Sequence, residues 1–161
     1  MPTPHRWNKI KAKAWHRYRK ALAGTDQPID PKVQPLIAQA WKVDLIPVAS
    51  CQGHHPREKV EKLEIPKRFK DLPREERLIA TKKWRLRRTQ GHLTALLNWD
   101  EADVDALIQK LPTFVKCEDW RTSTPKSAYI PEEVPWMRFS WQYRDQDEAI
   151  QILLKLLTPE V

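Results

Sequence analysis

Glycine is nearly missing from this chain, with three in 161 residues. Few positions can therefore require a positive φ, and each glycine is a place to look for one. Cysteine is as scarce. Two thiols, Cys51 and Cys117, cannot build the disulfide framework of a small secreted domain, so a reducing, cytoplasmic setting is the simpler expectation. No apolar run approaches the roughly 18 residues of a membrane-spanning helix, and no secretory pattern is visible, so membrane insertion is not expected. Acidic residues are absent from one whole region: none precedes Asp26.

What is present is an ordinary globular mixture, 31% charged and 40% hydrophobic, at a length that suits one domain with appended segments. Eight tryptophans are many for this length, and most should be buried or in contact surfaces. The formal net charge of +8 favours polyanionic partners, nucleic acid before an anionic membrane or an acidic protein.

Residues 1–23 carry Arg6, Lys9, Lys11, Lys13, Arg17, Arg19 and Lys20, with Trp7, Ile10, Ala14, Trp15, Tyr18 and Leu22 at helical spacing. They read as a basic amphipathic helix or arm stopped by Gly24. Residues 24–161 read as one α+β domain. Asp30 and Pro31 have the pattern of an N-cap and first helical residue, ahead of the stripe Val33, Leu36, Ile37, Ala40 and Trp41. The run "LIPVAS" reads as a buried strand. Residues 56–73 form a charged, proline-rich excursion, and Asp71 then opens a helix ending in "KKWRLRR", five cations in seven residues. Two further strands follow at "HLTALLNW" and "TFVKCEDW", separated by a helix that Asp100 caps with Asp103 as box partner. "WMRFSWQY" alternates as a fourth strand, and Asp145 with Glu148 begins the last helix. The second half is thus β-α-β-β-α. Adding the strand at 45–50 gives four strands in a mostly antiparallel sheet with helices on one face. That is ferredoxin-like content in permuted order, with one edge strand supplied from the N-terminal side.

The stretch "SCQGHH", Ser50 to His55, concentrates reactive side chains at the end of a strand. It can be a structural turn around Gly53. It can be a binding or active loop, in which backbone amides freed by Gly53 cradle phosphate or Cys51 and His54 act as thiol and imidazole, although no third, orienting group is assignable from sequence. It can also be a metal site with Cys51, His54 and His55 as ligands, completed by Cys117 or His92. No second metal-binding pair occurs, so no cofactor is favoured, with zinc as the alternative. The same stretch, with the helix "DPKVQPLIAQAW" and the strand before it, resembles the Ser-Cys-x-Gly-His signature of small bacterial and phage proteins. Over residues 30–55 it also resembles the wybutosine-synthesis methyltransferase family that acts on tRNA. That resemblance implies a functional loop at Ser50, Cys51, Gly53 and His54 near RNA-like ligands. It does not extend to methyl transfer, because no pattern for S-adenosylmethionine is present and His54 replaces a basic residue.

The leading expectation is a small accessory protein that binds RNA or single-stranded DNA through Arg6, Lys9, Lys13, Arg17, Lys82, Lys83, Arg85 and Arg88. The alternatives are an enzyme built on Cys51 and His54, and a phage or mobile-element protein that binds or inhibits a protein or nucleoprotein partner.

Overall fold

A computed structural model describes residues 2–25, 28–54, 66–125 and 129–159. Helix α1 spans Pro4–Leu22. The Thr3 side chain accepts the Arg6 N–H at 3.2 Å, and Pro4 takes a first-turn position where no N–H is needed. Gly24, at φ +76°, follows its end, as the sequence predicts. A 3-10 turn at Pro31–Val33 runs into α2, Gln34–Lys42, and Pro35 is accommodated in that helix's first turn. Strand β1 is Leu45–Cys51, with a register shift between Pro47 and Ala49, so Pro47 sits in an edge strand beside a bulge. Helix α3 is Arg74–Thr89, β2 is Gly91–Leu97, α4 is Glu101–Gln109, β3 is Lys116–Asp119, β4 is Trp136–Trp141 and α5 is Gln146–Leu156.

Two local expectations are corrected. Asp71 does not start α3. A 3-10 turn at Lys67–Phe69 comes first, and Pro73, which disfavours helix in the residue before it, moves the start to Arg74. Asp100 and Asp145 occupy N-cap positions, but neither side chain makes a capping hydrogen bond.

The sheet order is β1-β2-β4-β3, with every pair antiparallel. Strands β2 and β3 are therefore parallel to each other and separated by β4, which is the split β-α-β arrangement, and β1 occupies the free edge beside β2. The fold is α+β with the fourth strand contributed from the N-terminal side. One face of the sheet buries Leu45, Leu93, Leu97, Met137, Phe139 and Trp141 against α2, α4 and α5. The other face has a smaller cluster, Ile46, Leu96, Val134 and Trp136, and α1 closes it with Trp7. Helices thus lie on both faces, with α1 on the second. No helix among the described residues is long and apolar enough to cross a membrane.

The N-terminal helix is part of the fold rather than a loose arm. Trp7 is 4% exposed, and its indole N–H donates to Asp44 Oδ1 at 3.3 Å, where Lys11 Nζ also donates at 2.9 Å. Farther along, Trp15, Tyr18 and Trp41 form an aromatic cluster with ring centroids 5.0–5.7 Å apart. Trp7→Ala should cost about 3 kcal/mol or more. Limited trypsin digestion should cut within residues 9–20 of that variant long before it cuts the parent.

At the far edge of the sheet, Arg121 joins Asp119 at 3.0 Å to Asp105 of α4 at 2.8 Å. Burial would raise the Asp119 carboxyl, but side-chain and backbone hydrogen bonds from Arg121 outweigh it and hold the group below its ordinary value. A depressed carboxylate stabilises the fold above its unfolded pKa, and that contribution disappears as pH falls through the folded one. Melting temperatures taken from pH 6 downward should therefore drop more steeply on the acid side for the parent than for Asp119→Asn.

Candidate functional site

The turn that leaves β1 is shaped by backbone proximity. Gly53 has φ +95°, and a Cβ there would stand 3.1 Å from Gly91 N and 3.2 Å from Thr89 O. A Cβ on Gly91 would run into the Trp141 indole nitrogen. Two of the chain's three glycines are thus required where the turn lies against the start of β2. Several of the turn's backbone groups are engaged within the fold. Trp141 Nε1 donates to Gln52 O at 3.0 Å, and Gln146 Nε2 donates to Gln52 O and Gly53 O at 3.0 and 2.9 Å. The His54 N–H donates to Thr89 O at 3.1 Å, and the Gln52 N–H to Asp30 Oδ2 at 3.1 Å. The amides at Gln52 and His54 are engaged in the fold and do not form the phosphate cradle that Gly53 suggested.

Asp30 is the residue that sequence reasoning missed. Its local pattern is that of an N-cap, yet its side chain makes no capping bond. It turns instead toward the end of β1, where Oδ2 also lies 3.4 Å from His54 Nε2. One ligating atom each from Asp30, Cys51 and His54 gathers within 4.8 Å, and all three residues are half-buried. This is the third group that the Cys51 and His54 reading lacked. No local pattern could have revealed it, since twenty residues separate it from the motif and only the tertiary fold closes the gap.

The other proposed ligands fare differently. His55 lies outside the described residues, as do residues 56–65 of the excursion. Cys117 belongs to β3, at the opposite edge of the sheet from β1, and packs against the main core. His92 is the cross-strand partner of Cys51 and shares its face. Together with Ser50, Cys51, Asp30 and Tyr129, and with Arg17 and Tyr18 of α1, His92 lines a groove of about 360 Å³. The Arg17 guanidinium lies 4.0 Å over the Tyr129 ring at this groove.

Lys9 and Lys13 are exposed one turn apart on α1, and Lys82, Lys83 and Arg85 are exposed on α3. Arg6 donates to Glu132 O at 3.0 Å. Among the described residues none of these side chains, nor Arg17, lies within ion-pair distance of a carboxylate, whereas the neighbouring Lys11 is paired with Asp44. The Arg88 side chain lies outside the described residues. The two basic helices finish at the same end of the sheet. Tyr18 and Ala21 of α1 border the groove at Cys51, and Thr89 at the end of α3 meets the 53–54 turn. Helix α3 also exposes Leu78, Ile79 and Leu86.

The two thiols differ in kind. Burial, reinforced by the charges of Asp119 and Glu118, pushes the Cys117 thiol up to about 12, so it stays protonated at neutral pH. Cys51 borders the groove. No family model, curated protein or solved structure matches this chain. Under native conditions at pH 8, a small alkylating reagent should label one thiol per chain, and peptide mapping should place it at Cys51. Labelling of Cys117 should appear only on unfolding.

Proposed function

We propose that the protein binds RNA or single-stranded DNA through phosphates along the outer surface of α1, with the adjoining groove receiving a base or sugar. The observation that supports this most directly is the charge balance of α1. A helix with no acidic residue lies across a sheet face and leaves Lys9 and Lys13 without a carboxylate partner among the described residues. Phosphates supply the missing counter-charge, and each contact releases bound cations. Tyr18 and the stacked Arg17–Tyr129 pair add planar surfaces at the same groove, the kind on which unpaired bases stack. An anionic membrane fits less well, because a helix lying in a lipid interface needs its apolar face free, and Trp7 of α1 is already buried against the sheet.

A second reading, a protein or nucleoprotein partner, draws on the exposed Leu78, Ile79 and Leu86 of α3. Salt separates the two. Fluorescence anisotropy with a labelled oligonucleotide should show affinity falling steeply between low and physiological salt. Lys9→Gln with Lys13→Gln should lower the slope of log affinity against log salt by about 1.4, at about 0.7 per phosphate contact on a single strand. Both side chains are exposed, so the melting temperature should stay put. Affinity indifferent to salt, or a slope unchanged by the double substitution, would remove the phosphate account.

A further inference from the structure

We infer that Asp30, Cys51 and His54 form a three-residue site for a zinc-type divalent cation, with its fourth coordination position open toward the groove. The first support is the donor set. A thiolate, an imidazole and a carboxylate together match borderline-soft zinc, whereas calcium and magnesium call for oxygen alone. The second is spacing. Ligand atoms that share a tetrahedral zinc at roughly 2.0–2.3 Å stand roughly 3.3–3.6 Å from one another. Asp30 Oδ2 and His54 Nε2 are 3.4 Å apart, and all three donors lie within 4.8 Å, so a small side-chain rotation closes the set.

The third support is an unspent nitrogen. His54 Nε2 is buried and makes no hydrogen bond, even with the Asp30 carboxylate beside it. A buried polar atom of this kind carries a desolvation cost that a bound cation removes. The fourth is rigidity. Gly53 is packed against backbone, Trp141 and Gln146 hold the carbonyls of the turn, and the Gln52 N–H fixes the Asp30 oxygen. These outer contacts orient the turn while leaving His54 Nε2 without a hydrogen bond. Asp30 and Cys51 both border the groove, so water or an anionic oxygen would take the open position. The site stands whether or not a nucleic acid binds.

The test uses the full, untagged chain, reduced and freed of metal. Titration with Co²⁺ should show one equivalent bound, with a thiolate-to-cobalt charge-transfer band and the visible bands of a near-tetrahedral ion, all erased by Zn²⁺. Cys51→Ser should abolish the charge-transfer band, and Asp30→Asn or His54→Ala should weaken Co²⁺ binding by about tenfold or more. Cys117→Ser should change none of this. Because a substitution in the turn can also destabilise the fold, a measurement on the parent chain stands beside the variants: Zn²⁺ should slow alkylation of Cys51. No stoichiometric uptake overturns the inference, as does a charge-transfer band that survives Cys51→Ser or alkylation at Cys51 indifferent to Zn²⁺. Any of these would leave Asp30 and His54 as close neighbours with no metal between them.

Discussion

The end of the sheet that carries the reactive residues depends on one close approach, that of Gly53 to Thr89 and Gly91. A side chain at either glycine would force two stretches of backbone apart. Because neither has one, the chain leaving β1 folds down onto the strand that begins β2, within reach of Trp141 and Gln146. Those two side chains belong to β4 and to the first turn of α5. The turn is thus clamped by residues from β4, the strand beyond β2, and from the first turn of α5. Lys32 extends the clamp by donating to Gln146 and Asp147, while its backbone N–H meets the Gln52 side chain. The same closeness brings the Asp30 carboxylate against His54. A chain so poor in glycine has placed two of its three where no other residue would fit.

The N-terminal helix is held by a different balance. With cations on most of its length and no acid, its own side chains repel one another and oppose helix formation. Its stability comes from the surface beneath: Trp7 buried over Ile46, Leu96 and Trp136, and the Trp15, Tyr18 and Trp41 rings where it meets α2. Asp44, at φ +60°, is the carboxylate that α1 meets, accepting from both Trp7 and Lys11. Neutralising one lysine near the buried indole while leaving Lys9 and Lys13 in water keeps the outward potential positive and the docked side satisfied. A positive surface of that sort acts on a polyanion beyond contact distance, out to about a Debye length.

The sequence was informative wherever periodicity met burial. The alternation of Met137, Phe139 and Trp141, the pairing of Val115 with Cys117 on one face, and the final helix through Ile150 and Leu153 are all present as the pattern implied. So is the fourth strand borrowed from the N-terminal side. What sequence could not supply depended on distance along the chain. Asp30 followed by Pro31 has every local mark of a helix cap, and only the folded chain shows its oxygen committed to Gln52 twenty-two residues away. Asp100 and Asp145 fit a cap pattern equally well without making the bond, since a pattern records what a side chain can do locally and not what competes for it. Likewise, Trp7 and Trp15 share one helical stripe, yet Trp7 is buried against the sheet and Trp15 is 44% exposed beside Trp41.

The two cysteines show how topology assigns chemistry to identical side chains. Strands β1 and β3 are the opposite edges of the sheet, so Cys51 and Cys117 could never meet on one ion without dismantling it. Their faces differ as well: Cys117 turns with Phe139 toward the main core, and Cys51 turns with His92 toward the groove under α1. A thiolate at Cys117 would lose its hydration beside two carboxylates, which is why that thiol holds its proton. Around Cys51, ligand atoms of the His54 imidazole and the Asp30 carboxylate lie within 4.8 Å. A cation placed among those three would be opposed by two negative charges and one neutral nitrogen donor, close to electroneutral without further ligands. The edge strand brought in from the N-terminal side therefore sets Cys51 on the groove, while the opposite edge sets Cys117 against the core.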